Sequence, residues 1–387
     1  MRTIGVVTVA RSDYGIYLPV LQRIQEDPDL RLHLIVAGMH LSPEFGLTVR
    51  AIEQDGFEIS ERIEMLLSSD TPEGIGKSMG LGTIGFAQAY ARFRPDILLV
   101  LGDRFEMHAA VVASLPFKIP VAHIHGGEST EGLIDEPIRH SITKMSHLHF
   151  ASTELYARRI IQMGEDPWRV VVSGAPSLDN LRRVPLFSRQ ELEEQYALEV
   201  TDPVLLVTYH PVTLEYERTE THMRELLAAL EEVDYGIVFT YPNADTQGRL
   251  IIEMIREFAV RHERAQVAVN LGMPAYLSLM SYVVAMVGNS SSGIIEAASF
   301  KLPVVNIGNR QRGRVHGKNV TDVGYSRAEI LRGIVKATSQ DFRASLADLV
   351  NPYGDGHAAE RIVDKIKRVE LDEQLLLKRF HDIGGDT

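Results

Sequence analysis

The chain has 387 residues, 45% of them hydrophobic and 24% charged, with a formal charge of −12 at pH 7 and no cysteine. This length and balance suit a soluble globular protein of two or three domains. The missing thiols exclude disulfides, Cys-ligated zinc and cysteine nucleophiles, and the acidic balance argues against a general nucleic-acid or membrane surface while leaving room for a local basic pocket.

The N-terminal run TIGVVTVA reads as a strand buried on both faces, and Arg11 and Asp13 follow it at once. That run is too short for a signal peptide, and no later run reaches the roughly 18 apolar residues a membrane span needs, so a cytoplasmic location is expected. Next, LPVLQRIQ sets Leu18, Leu21 and Ile24 at helical spacing. RLHLIVAG, DILLVLG, IPVAHI and HLHFAS continue the strands, with helical patterns between them. After a break come VLLVTY, GIVFTY, AQVAVN, YVVAMVG and PVVNIG, with the helical pattern TETHMRELLAALEEV among them. Such alternation predicts an α/β fold of parallel sheets covered by helices on both sides.

The alternation pauses over 176–199, where prolines and a charged helical pattern replace any convincing strand. The expected organisation is a doubly wound domain over 1–175, a linker over 176–199, a second doubly wound domain over 200–360, and a C-terminal helical segment over 361–387 that packs back across both. No repeat of fixed period and no low-complexity segment interrupts it.

In open parallel sheets, ligands bind beyond the carboxyl ends of the strands. Arg11, Asp103, Arg104, Glu128, His210, Asn243, Ser290, Ser291 and Arg310 all follow predicted strands. If the two sheets point these ends at each other, the residues line one cleft between the domains.

Each candidate has a plain structural reading beside the functional one. Asp103 and Arg104 form either a salt-bridged loop or a base with its electrostatic partner. In HIHGGESTEGLIDEPIRH, Gly126 and Gly127 permit a sharp turn that brings Glu128 to a ligand. Asp135 and Glu136 open the next helix with Pro137 in its first turn, a position that dipole stabilisation alone would explain. His123 and His125 alternate on a strand and so share a face, but neither His140 nor any other residue supplies a persuasive third metal ligand. His210, fixed out of helix by Pro211, is either structural or a phosphate donor and proton carrier. GNSSSGIIEA opens a helix whose exposed N–H groups and hydroxyls suit an anion, with Arg310, Arg312 and Arg314 available to neutralise a diphosphate. Glu296, inside that helix, is either a surface glutamate or an acceptor for two ribose hydroxyls. Neither a Walker pattern nor a GxGxxG after the first strand is present.

Taken in order, VARSDYG, HLSPEFG, GDRFE, HIHGGE, IDEPIRHSITK, YHPVT, YPNAD, GNSSSGIIEA and NRQRGR resemble the UDP-N-acetylglucosamine 2-epimerase family, and most of all its hydrolysing branch. The resemblance implies two Rossmann-like domains of the glycosyltransferase-B type facing a cleft, a UDP-sugar substrate, no metal or other cofactor, and a homodimer or homotetramer. It carries Arg11, Asn243, Ser290, Ser291, Glu296 and Arg310 over to nucleotide binding. Asp103, Glu128, Asp135 and His210 are carried over to catalysis, with Arg104 and Glu136 beside them. Gly15 stands where animal relatives carry a serine.

The expected reaction is elimination of UDP from C1 as a base takes the C2 proton, followed by hydration of the 2-acetamidoglucal and reprotonation of C2 from the other face. UDP-N-acetylglucosamine is the first expected substrate and N-acetylmannosamine, a sialic acid precursor, the product. The alternatives are a UDP-diacetamido sugar of the legionaminic acid type, epimerisation without hydrolysis, and a glycosyltransferase of the same architecture.

Overall fold

The computed structural model describes all residues except 70, 131–133, 201–202, 243–247, 270 and 384–387, and omits the side chains of 213, 214 and 216. The chain divides into two compact units. The first combines Met1–Ser129, Ile134–Asn180 and the segment from Tyr353 onward, and the second is built on Leu181–Pro352.

The first unit holds a seven-stranded sheet of β1 (Arg2–Thr8), β2 (Leu30–Ala37), β3 (Ile59–Ile63), β4 (Ile97–Leu101), β5 (Val121–Ile124), β6 (Leu148–Ala151) and β7 (Val170–Val172), ordered β3-β2-β1-β4-β5-β6-β7. Every pairing is parallel. The strand order runs outward from β1 in one direction and from β4 in the other. The crevice beyond β1 and β4 is therefore the topological switch point, where a ligand site is expected.

The second unit repeats the scheme with six strands: β8 (Val204–Thr208), β9 (Gly236–Thr240), β10 (Ala265–Ala268), β11 (Ala285–Gly288), β12 (Val304–Ile307) and β13 (Val320–Val323), ordered β10-β9-β8-β11-β12-β13. All its pairings are parallel as well, and its switch point lies between β8 and β11. Each unit is thus doubly wound, as the alternation of strand and helix predicts.

Ten of these strands correspond to the apolar runs of the sequence, and three do not. The three, β3, β7 and β13, are all edge strands. β3 and β13 carry charged residues within the strand and are largely exposed or half-buried, and β7, Val170–Val172, is three half-buried valines, too short a run to stand out.

The return of the chain to the first unit also differs from the expected boundary at 360. Ala175 N donates to Tyr353 O at 2.7 Å, and the following helix Ala358–Arg368 buries Ala358, Ala359, Ile362, Val363 and Ile366 in the core of the first sheet. Asp179 fixes the start of that helix by accepting from Ala358 N at 2.9 Å and Ala359 N at 2.8 Å. The charged pattern expected as a linker forms the helix Arg189–Tyr196, closed by a Ser188–Glu191 capping box, and belongs to the second unit. Among the described residues no helix is long and apolar enough to cross a membrane.

Candidate active site

At the switch point of the first unit, the loops after β1 and β4 carry opposed charges. Asp103 follows β4, Arg104 caps the helix Phe105–Ser114, and Glu106 in its first turn is fully buried. Arg104 donates to both oxygens of Glu106, Nε to Oε2 at 3.3 Å and Nη2 to Oε1 at 3.2 Å. From the β1 side, Arg11 opens the helix Arg11–Glu26 in an exposed position, and Asp13 lies in its first turn, only 5% exposed. Asp13 Oδ2 has no hydrogen-bond partner among the described residues.

Two carboxyls here are held near neutrality. Burial pushes Asp13 up to about 7, opposed by Arg104 and reinforced by Glu106 and Asp103. Burial likewise pushes Asp135 up to about 6, with Asp103 adding to the push while Arg104 and Arg139 oppose it. A carboxyl that keeps its proton near pH 7 is what a general acid requires.

Arg139 organises the acids. It is 1% exposed, pairs with the Asp103 carboxylate, and donates through Nη1 to Glu136 Oε2 at 2.8 Å and to the Glu128 carbonyl at 3.1 Å. A single guanidinium therefore ties the loop after β4, the loop after β5 and its own helix, Asp135–Met145. Asp135 and Glu136 open that helix with Pro137 in the first turn, as the sequence indicates.

Glu128 is 5% exposed, and its Oε1 accepts from His125 Nδ1 at 2.5 Å and from Ser152 Oγ at 2.8 Å. The turn that delivers it uses left-handed backbone at His125 (φ 65°) and Gly127 (φ 75°). A Cβ at Gly127 would also lie 2.5 Å from Tyr156 O, so only glycine fits there.

The paired-histidine expectation fails at this turn. β5 ends at Ile124, and His125 has left-handed backbone (φ 65°), so the two histidines are not alternate positions of one strand. His123 Nε2 instead donates to Gly102 O at 2.8 Å, and burial pushes its pKa down to about 3, so the ring is neutral. His140 Nε2 bonds Glu136 Oε1 at 3.2 Å. Among the described residues no group of three such side chains is placed to hold a metal ion.

At the switch point of the second unit, Asn289 is the organising residue. It is 1% exposed, its side chain accepts from His210 N at 2.7 Å and donates to His210 O at 2.8 Å, and its own carbonyl accepts from Arg310 Nη1 at 3.0 Å and Gln311 Nε2 at 2.8 Å. The loops after β8, β11 and β12 are joined through this one residue, by its side chain to the first and its backbone carbonyl to the last. Gly288 before it has φ 139°, and a Cβ there would lie 1.9 Å from Thr208 O. His210 is 6% exposed, and burial with the nearby Arg310 pushes it down to about 3, leaving a neutral ring.

Ser290 caps the short helix Ser291–Ile295, its hydroxyl accepting from Ser292 N at 3.3 Å. Because that helix ends at Ile295, Glu296 is its C-cap rather than an interior residue. Asn243 lies outside the described residues.

The structure therefore groups Asp103, Arg104, Glu128, Asp135 and Glu136 in the first unit and His210, Ser290, Ser291 and Arg310 in the second. The sequence reading did not single out Glu106, Arg139 and Asn289, and it noted Asp13 only as a polar residue after a strand. Arg139 had one available signal, its helical spacing from Asp135 and Glu136.

Known proteins match this chain over nearly its whole length. The family pattern described as UDP-N-acetylglucosamine 2-epimerase covers residues 22–367. A GDP/UDP-N,N'-diacetylbacillosamine 2-epimerase (hydrolyzing) of Campylobacter jejuni is 38% identical over 385 residues, covering 99% of both chains. A UDP-N,N'-diacetylbacillosamine 2-epimerase (hydrolyzing) of Legionella pneumophila is 37% identical over 378 residues, covering 98% of this chain and 99% of its own. Among solved structures, the UDP-GlcNAc 2-epimerase of Neisseria meningitidis bound to UDP-GlcNAc superposes with a TM-score of 0.79 at 19% identity, covering 95% of this chain and 99% of that one. The architecture is accordingly of the glycosyltransferase-B type, and the chain belongs to the UDP-N-acetylglucosamine 2-epimerase family.

Proposed function

We propose that this protein is a hydrolysing 2-epimerase that converts a UDP-linked 2-acetamido sugar and water into UDP and the free 2-epimer. The observation that carries this reading is the set of carboxyls at the switch point of the first unit, where burial raises Asp13 to about 7 and Asp135 to about 6 beside the carboxyls of Asp103 and Glu128. A base takes the C2 proton while the C1–O bond to UDP breaks, leaving a C1=C2 double bond. Water then adds its oxygen to C1 and gives up one proton to a carboxylate, while a carboxylic acid delivers a proton to C2 from the opposite face. One ionised and one protonated carboxyl are needed, and environments that separate their pKa values supply both.

The loop at Ser290 and Ser291, with Arg310 and the neutral His210, holds the diphosphate and stabilises the charge that develops as it leaves. Arg11, Asn243 and Glu296 complete the nucleotide contacts, and Arg104 and Glu136 support the acids. The reading includes a cytoplasmic homodimer or homotetramer that uses neither metal nor other cofactor. A glycosyltransferase of this architecture would have no use for acids that exchange a C2 proton.

Two relatives named for the diacetamido substrate, each more than a third identical over nearly the whole chain, move UDP-N,N'-diacetylbacillosamine ahead of UDP-N-acetylglucosamine. The family description supports UDP-N-acetylglucosamine as the second reading. Supplied with either nucleotide sugar and no acceptor, the wild-type enzyme should release UDP and free sugar in equal amounts. Glu128→Gln and Asp135→Asn should each slow turnover by about 10² to 10⁴. Turnover at the wild-type rate in both variants would remove the acid–base assignment, and a UDP-sugar epimer formed without free UDP would remove hydrolysis.

A further inference from the structure

The proposed reaction gives His125 no part, yet three observations single it out. It holds left-handed backbone (φ 65°), a conformation that glycine adopts freely and a side chain with a β-carbon resists. Its ring is buried, and Nδ1 lies 2.5 Å from Glu128 Oε1. Its Nε2 is buried too and has no hydrogen-bond partner among the described residues. Among those residues, then, the ring's only hydrogen bond goes to the Glu128 carboxylate. Packing alone does not account for a histidine kept in strained backbone with an orphaned nitrogen.

The same carboxylate oxygen takes a second donor. Ser152, 2% exposed on the segment after β6, donates to Glu128 Oε1 at 2.8 Å. Donors that converge on a carboxylate favour its ionised form, and here they oppose the burial of the group. They also tie one oxygen to the turn after β5 and to the segment after β6 at once, which fixes the side chain. The charged and titratable groups packed about the pair are Arg139, whose Nη1 bonds the Glu128 carbonyl, Asp103 and Glu136, which Arg139 holds, and the neutral His123.

We propose that His125 is a positioning residue: with Ser152 it holds the Glu128 carboxylate ionised and in place, and so makes Glu128 the base that takes the C2 proton. This rests on the hydrolysing-epimerase reading above. The C2–H electron pair becomes the C1=C2 bond as the C1–O pair leaves with UDP, and His125 and Ser152 keep their own protons.

The test measures kcat and kcat/KM for UDP release against pH in the wild type, His125→Gly, His125→Asn and Ser152→Ala. Glycine and asparagine both accept left-handed backbone, and asparagine Nδ2 stands near the place of imidazole Nδ1, so only the glycine variant loses the donor. His125→Gly and Ser152→Ala should each lower kcat at pH 7 by about 10-fold or more, with KM within about 3-fold, as expected of a displaced catalytic group. Both should also move the acidic limb of kcat/KM up by about one pH unit, because a carboxylate with one donor fewer is protonated more easily. His125→Asn should regain most of kcat and return the limb to its wild-type position. A fall that is equal at every pH, with the limb unmoved, would make the two residues merely structural and overturn the proposal. Wild-type rates in His125→Gly and Ser152→Ala, or a His125→Asn as slow as His125→Gly, would also overturn it while leaving the proposed reaction standing. Absence of UDP release by the wild type from either nucleotide sugar would defeat the reaction and the positioning role together.

Discussion

Asp13 sits where the fold resists its ionisation. Burial dominates, and the groups facing it are Arg104, Asp103 and Glu106 across the switch point and Tyr17 on its own helix. In the unfolded chain this carboxyl ionises near 3.8, whereas in the folded protein it does so near 7. Between those values the native state binds a proton that the unfolded state has lost, so stability falls as pH rises through the window, by about 1.4 kcal/mol per pKa unit. Its contribution is fully present below pH 3.8 and gone above about pH 7. Asp13→Asn removes this slope while keeping the shape. Urea unfolding at pH 5 and pH 8 should therefore show the wild type losing stability relative to the variant, and parallel behaviour would mean that Asp13 is ionised throughout. Asp103, Glu128 and Asp135 could be read from the sequence because each is a charge placed just after an apolar run or at a helix start. Spacing could link Arg139 to Glu136 on its own helix but not to Asp103, which lies 36 residues away and is joined to it only by the fold. Asn289 stood unnoticed beside the serines of its loop for the same reason: its bonds reach back 79 residues to His210.

Among the elements, the helix Ala358–Arg368 depends on a cap from outside itself. His357 at its N-cap makes no side-chain capping bond, and both Asp179 oxygens instead take the first N–H groups from a segment far away in sequence. Asp179 is 5% exposed, so Asp179→Ala would strand two buried donors. We expect a loss of about 1 to 3 kcal/mol in chemical denaturation, at the upper end of a cap loss, and no measurable change would show that water replaces the carboxylate. Central strands were legible because burial on both faces demands unbroken Val, Ile and Leu. The edge strands β3 (ISERI) and β13 (VTDV) mix charged residues among their apolar ones, and β7 (VVV) is only three residues long, so none forms an apolar run long enough to stand out. His125 misled for a local reason. A left-handed residue ends the alternation of a strand, and no pattern in HIHGG announces that the reversal begins before the glycines.

For the whole molecule, the path of the chain sets how it can be built. The second unit is essentially one continuous segment, while the first is completed only by residues after Tyr353, whose Ala358, Ile362, Val363, Ile366 and Leu375 fill its core. That core cannot close until the residues after Tyr353 have been made, which leaves apolar surface open during synthesis. Amphipathic spacing made the helix Ala358–Arg368 legible, but the single C-terminal helix expected over 361–387 is not formed: the helix stops at Arg368 and only the short helix Glu373–Leu376 follows among the described residues. Nor was the core it joins legible, because periodicity reports a buried face and not its partner. The proposed function rests on one claim, that the C2 proton is exchanged as UDP leaves the same hexosamine. Incubating the enzyme with its UDP-sugar in deuterated water and following the products by NMR tests that claim most directly. The account predicts free UDP together with a free 2-epimerised sugar carrying deuterium at C2; free UDP with a sugar that has kept its C2 proton and configuration would contradict it.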